Sequence, residues 1–306
     1  MVKRRQEDAS ERPPAAKTED EDMLSGDDDD GDDDEKELIN VDFEFFDPQE
    51  HDFHGIKLLL RQLFDADATL LDLSALTELI LAQKLVGSTV KVDGREGDPY
   101  SFLTVVNSKM HRESECVKSL VAYLLGRSAG TPLEPRLREL LASPAPDDTT
   151  NTAIVLSERL INMPAEISPP SYNMLLEEIG LAVEDNEPYN FTHYLLISKV
   201  YAEIESKLEN PDGPSRPLKR HKARKPSSSA AANAQVFDFH PEDELFLARA
   251  TGSSGAHAVY KYQNEVPEGL ADSKRAFQDY GILPKGRMIL LSREAFVAAV
   301  QGMQPA

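Results

Sequence analysis

His51-Asp52-Phe53-His54 sets two imidazoles three residues apart. Both could face one ligand if a helix began that early. The stretch sits at a strand-to-helix transition with no third ligand in view, so a surface or helix-start role is expected. Cys116 is the only cysteine and lies five residues after His111, on or near a helix. A free cysteine usually behaves as a small buried apolar side chain, and that reading is taken over a nucleophile. With one cysteine, neither a disulfide framework nor a multi-cysteine zinc site is possible.

Arg127-Ser128-Ala129-Gly130-Thr131-Pro132 begins like the Arg/Gln-x-x-Gly-x-Gly/Ala loop of acetyltransferases. That loop holds a cofactor pyrophosphate on backbone N–H groups at a helix N-terminus. Here the last small position is Pro132, which has no N–H to give. The segment also follows a helix instead of opening one, so it reads as a helix-ending turn. No Walker sequence, dinucleotide-binding glycine fingerprint or HExxH motif occurs. No catalytic, cofactor-binding or metal-binding residue is assigned, no cofactor is expected, and the chain is read as a non-enzyme.

Charge is the strongest chemical feature. The chain of 306 residues carries a net charge of −21. Its first 50 residues hold 20 Asp or Glu against 6 Lys or Arg, a balance of −14, which leaves only −7 for the other 256. Asp27, Asp28, Asp29, Asp30, Asp32, Asp33, Asp34 and Glu35 form the centre of this acidic stretch. Such a block repels itself and cannot collapse into a core, so residues 1–38 are expected to be a disordered tail. The tail favours a basic partner and repels nucleic acid and anionic membranes. Composition alone leaves two readings open: a polyanion that screens a basic client, and a tail that only solubilises.

The opposite charge concentrates between Pro217 and Pro226, where Lys219, Arg220, Lys222, Arg224 and Lys225 cluster among small polar residues. This matches a nuclear localisation signal read by an import receptor. Nuclear import is preferred over a nucleic-acid patch, because aromatic residues that would stack bases are missing. It is also preferred over an internal partner for the acidic tail. The single cysteine fits a reducing compartment. With no run of 18 apolar residues, no membrane-spanning helix is expected. The N-terminal stretch lacks a secretory signal and is too acidic for a mitochondrial presequence. Cytosol or nucleus remains.

Alternating strands and helices must position all of this. Val41–Phe46 alternates apolar and polar residues as a strand with one buried face. Phe53, Ile56, Leu59, Leu60 and Leu63 lie on one side of a helix over 53–64, and Leu73, Leu76, Leu79 and Ile80 on one side of a helix over 73–83. A strand over 86–92 ends at Asp93-Gly94, a hairpin-type signal, and a second covers 102–106. Helices follow over 114–125 and 133–141, then a strand over 154–161. Pro169-Pro170 opens a helix to Leu181. Tyr194-Leu195-Leu196-Ile197 predicts a central strand buried on both faces. Residues 207–234 have no apolar period and read as a disordered basic insertion. Strands are expected from Val236 to Phe239, over 257–262 and over 287–291, and Ser292 can cap a last helix through Val300. The whole predicts a single α/β domain over 39–303, with a mixed central sheet flanked by helices.

Several segments resemble the BCCIP family. Val41-Asp42-Phe43-Glu44 with His54-Gly55-Ile56-Lys57 and Gln62-Leu63-Phe64 resembles its opening. Gly87-Ser88 with Val90-Lys91, Leu156 through Pro164 (LSERLINMP) and Tyr194 through Lys199 (YLLISK) agree further along. The likeness covers about residues 39–300, and the acidic start and basic insertion fit the family plan. It implies a fold like that of acetyltransferases without a working acyl-CoA site. It further implies a nuclear chaperone for a basic large-subunit ribosomal protein of the L-fourteen type, acting in ribosome biogenesis and shuttling with the cytoplasm through import and export receptors. Links to nuclear export of a phosphatidylinositol phosphate kinase, and in animal relatives to cell-cycle control and DNA repair, imply a regulatory adaptor as the alternative. A diverged acyltransferase is the third reading. The sequence differs from animal relatives over 93–102 and 252–280, and the family offers no short motif from which a binding residue could be carried over.

Overall fold

The structure, a computed structural model, describes residues 42–92, 94–142, 150–203, 236–252, 256–263 and 281–303. Both Asp27–Glu35 and Lys219–Lys225, with the rest of the 207–234 insertion, lie outside the described residues. The chain divides into residues 1–40 and 41–306, and the fold below is that of the second unit.

An eight-stranded sheet forms the middle layer. Its strands are β1 (Glu44–Phe46), β2 (Ser88–Lys91), β3 (Ser101–Asn107), β4 (Thr152–Arg159), β5 (His193–Glu203), β6 (Val236–Asp238), β7 (Ala256–Tyr260) and β8 (Ile282–Ser292). The order is β1-β2-β3-β4-β5-β8-β7, with β6 also on β5. Every pair is antiparallel except β4 with β5. The sheet is thus mixed, as expected, though mostly antiparallel.

Side chains alternate across this sheet, and each face has its own helices. Leu195 and Ile197 of β5 join the core under α1 (Phe53–Phe64), α2 (Leu73–Ala82), α3 (Glu115–Ser128) and α4 (Glu134–Leu141). Tyr194 and Leu196 face the other way, into the core under α5 (Ser168–Glu184), α6 (Asp243–Gly252) and α7 (Arg293–Gln301). The predicted apolar stripe of α1 is real: Ile56, Leu59, Leu60 and Leu63 are buried, each contributing roughly 2 kcal/mol of transfer free energy. Ser292 caps α7 by accepting from the Ala295 N–H at 3.3 Å.

The structure departs from the sequence reading at two places. Strand β4 stops at Arg159, because the chain turns at once: Leu160 C=O accepts from Met163 N–H at 2.9 Å, which leaves Ile161 78% exposed. The β2–β3 connection runs over 92–100, and the Arg95 C=O that it carries is held by Lys91 Nζ at 2.7 Å. Helix α6 went unpredicted, since only Phe246 and Ala250 bury an apolar side chain completely, one turn apart.

Candidate functional site

Splayed strands open a gap in a sheet that side chains or a ligand must fill. Among the described strands, the one parallel pair opens such a gap. Strands β4 and β5 pair from Thr152/His193 to Leu156/Ile197 and then separate. Strand β8 occupies the other edge of β5 along its whole length, 193–203. The short β6, opposite 200–202, therefore takes the edge that β4 has left.

Charged side chains fill the gap. From β4 come Glu158 and Arg159, from β5 Ser198 and Lys199, and from the turn entering α6 His240, Glu242 and Asp243. Glu158 is 1% exposed. Its Oε2 pairs with Lys199 Nζ at 2.7 Å, and its Oε1 meets His240 Nε2 at 3.2 Å. Gln62 of α1 donates to the same Oε1 at 3.1 Å and to the Arg159 C=O at 2.8 Å. The Arg159 guanidinium forks onto both oxygens of Glu242 and donates to Ser168 Oγ at 3.0 Å. Ser198 donates to Asp243, and Arg287 of β8 pairs with Asp238 of β6.

These groups tune one another. Burial pushes the Glu158 carboxyl up, but His240 and Lys199 outweigh it and hold it below the usual range. Glu242 behaves alike, with Arg159 as the stronger influence. Burial would lower His240, yet Glu158 and then Asp243 keep the imidazole above its ordinary value. Asp243 is the exception: burial raises it to about 6, despite His240 and Ser198. Glu158, Glu242, Asp243 and Asp238 face Arg159, Lys199, His240 and Arg287, so the cluster neutralises itself.

Little room is left. The cavity bounded by Ser157, Tyr172, Ser198, His240 and Asp243 measures about 10 Å³, space for about one water. Helix α5 follows β4, so its N-terminus is where backbone N–H groups would cradle a phosphate. Pro169 and Pro170 in its first turn lack that N–H, and the Glu242 carboxylate accepts from Ser168 Oγ at 2.9 Å in front of it. An acyl-CoA pyrophosphate does not fit these residues.

The other sequence candidates are apart from this cluster. His51 Nε2 meets Lys91 Nζ at 3.1 Å, and Lys91 is bound to Asp52 at 2.6 Å. His54 is exposed on α1, with its ring against Phe53. Among the described residues no group of His, Cys, Asp and Glu could hold a metal ion. Cys116 is buried, with Ser114 Oγ at 3.2 Å. Arg127 lies buried at the end of α3, paired with Asp67 at 2.7 Å, and Gly130 turns the chain at φ 74°. Its N–H is given to Glu134 at 2.6 Å, as befits a helix-ending turn. Sequence reasoning missed the buried cluster. The available signal was charge inside apolar strands: Glu158-Arg159 within one, and Lys199 two residues after the Tyr194–Ile197 run.

The likeness to known proteins is consistent along the chain. The BCCIP family model matches residues 38–246. Protein bcp1 of Aspergillus fumigatus is 51% identical over 267 residues, covering 87% of this chain and 86% of that one. Protein bcp1 of Schizosaccharomyces pombe is 46% identical over 262 residues, covering 85% and 87%. The crystal structure of BCP1 from Saccharomyces cerevisiae is similar with a TM-score of 0.58 and 27% identity, covering 90% of this chain and 92% of that one. By these matches the chain belongs to the BCCIP family.

Proposed function

We propose that this chain is a non-catalytic nuclear carrier, a chaperone for a basic ribosomal protein of the L-fourteen type in large-subunit biogenesis. The observation that carries the reading is the filled gap beside β5. Where β4 and β5 part, the sheet holds a self-neutralised plug of ion pairs and space for about one water. Binding then falls to the outer surface and the charged segments. The first 50 residues, at −14, complement an rRNA-facing basic client, which speeds encounter and disfavours wrong partners. The L-fourteen-type client is what the resemblance to the BCCIP family implies.

The fold is read here as a retired acetyltransferase-like one. Two helices between β1 and β2, a single parallel pair crossed over by α5 and the proline-blocked start of that helix support this. Lys219, Arg220, Lys222, Arg224 and Lys225 serve nuclear import, and the protein shuttles back through export receptors.

The test is co-purification of the recombinant chain with the ribosomal protein, with calorimetry against acetyl-CoA alongside. A one-to-one complex and no heat with the cofactor support the carrier. Saturable cofactor binding would overturn it. Alanine at the five basic positions should move the protein to the cytosol, and unchanged nuclear accumulation would remove the import assignment.

A further inference from the structure

Beside its two large cores the fold has a third, shallow apolar cluster at the β1 edge of the sheet. Val90 of β2 is buried in it, with Met163 and Ile167 from the segment between β4 and α5. Phe43, Phe45, Tyr100 and Leu160 pack against those three yet keep part of their surface in solvent. Ile161 follows Leu160 on the same turn and is 78% exposed. Phe43 and Phe45 alternate with the exposed Glu44, so both rings lie on one side of an extended segment. Among the described strands β1 pairs only with β2, which leaves its outer backbone groups outside the ladder. Part-exposed aromatic rings beside an open strand edge mark a surface that another chain can cover.

Three chain segments frame this patch, and each is net acidic. Residues 42–50 hold Asp42, Glu44, Asp47 and Glu50 and no Lys or Arg. Residues 92–100 hold three acids against Arg95, and residues 160–167 hold Glu166 and no Lys or Arg. Asp42, Glu44, Asp98 and Glu166 are exposed, and none makes a side-chain hydrogen bond or ion pair among the described residues. The acidic run of the first 50 residues also enters the fold here, because Asp42 and Glu44 belong to both.

We infer that this edge is where the domain grips its basic client, through an extended segment with large apolar side chains between lysines and arginines. The apolar side chains cover Phe43, Phe45, Tyr100 and Ile161, and the cations pair with the carboxylates around them. The extended form follows from the open edge of β1, whose backbone groups an added strand would satisfy. The inference rests on the carrier reading and names the surface that the reading requires.

The experiment titrates the full chain with two probes at low and at high salt. One is the L-fourteen-type ribosomal protein, and the other a fluorescein-labelled peptide of lysines alternating with leucines, read by anisotropy. Phe43→Ser with Ile161→Ser should weaken both probes at least about tenfold at either salt. Ile161→Ser alone, at a position that supports no core, should still weaken both about threefold. Asp42→Lys, Glu44→Lys, Asp98→Lys and Glu166→Lys together should weaken both at least about tenfold at low salt and less at high salt. Leu181→Ser, at another exposed leucine about 20 Å farther along α5, should change neither. Unchanged thermal unfolding would verify that the variants fold. Client binding that all these variants leave intact would overturn the surface and leave the carrier reading standing. Peptide binding that the variants abolish, with no binding of the ribosomal protein, would overturn the carrier reading and leave the surface. Failure of both probes would overturn both. Leu38→Ser with Ile39→Ser should leave peptide affinity unchanged. Binding about tenfold tighter would mean that the chain's own residues cover the patch, and would overturn the inference. A dimer in sedimentation that the Phe43 and Ile161 substitutions dissociate would overturn it too.

Discussion

Replacing Asp243 by asparagine should stabilise the folded domain, and increasingly so as pH rises. Asp243 is 3% exposed, accepts from Ser198 Oγ and lies beside His240. Burial is the main reason that its carboxyl titrates near pH 6, against 3.8 for the free side chain. The sign follows from linkage. A group whose folded pKa is raised favours folding below its unfolded value and opposes it as pH climbs through the folded value. Once ionised in both states, such a carboxyl opposes folding by about 3 kcal/mol, of which about 1.4 kcal/mol develops between pH 5 and pH 8. Asparagine keeps an oxygen for Ser198 and does not ionise. Its loss of attraction to His240 works against the gain, so a net advantage growing by about 1 kcal/mol from pH 5 to pH 8 is expected. For a domain of this size that is a rise of about 2–4 °C in Tm difference, read by thermal unfolding at the two pH values. An advantage that shrinks with pH, or a variant less stable at pH 8 than the parent, would refute the argument that burial dominates this carboxyl.

Four other perturbations test the packing around the same sheet. Glu158→Gln leaves Lys199 and His240 as buried cations without their carboxylate and should cost about 3–5 kcal/mol by denaturant unfolding; an NMR titration should show the His240 pKa falling, since Glu158 is what raises it. Adding Lys199→Met should recover part of that loss, measured as a double-mutant cycle. Gly286→Ala places a Cβ against the Tyr260 ring across the β7–β8 pair and should cost about 1–3 kcal/mol, checked by the same unfolding experiment. Ser292→Ala removes the cap of α7 and should cost about 1 kcal/mol.

Much of the sheet and its helices was legible because their signals are local. Helix α1 has its stripe at i, i+3 and i+4, and the uninterrupted run at Tyr194–Ile197 marks a strand with helices on both sides. What failed was non-local. Helix α6 is attached as much by Asp243 to Ser198, and by the preceding Glu242 to Arg159, as by its two buried apolar side chains; no spacing rule within 243–252 reveals partners 45 and 83 residues away. The ion cluster was hidden for the same reason. The LSERLINMP and YLLISK segments were singled out as separate likenesses, and only the parting of β4 from β5 shows that Glu158 of one and Lys199 of the other meet at 2.7 Å. The Arg127–Pro132 turn was read as a helix-ending turn, and α3 does end there; the helix that follows β4 starts at Ser168. Pro169-Pro170 was visible there as a helix opening, and only the sheet order shows that this opening lies beside the ion cluster.

The central claim is that a folded surface, and not charge alone, recognises a basic client. The most direct measurement is a titration of the full chain with the L-fourteen-type ribosomal protein at low and at high salt, with an unrelated basic protein of similar charge in parallel. The account predicts a one-to-one complex that weakens with salt but persists, because short-range contacts on the domain survive screening while the acidic stretch does not. Binding that disappears at high salt and is equally strong for the unrelated protein would contradict it, leaving only a polyanion that attracts any cation.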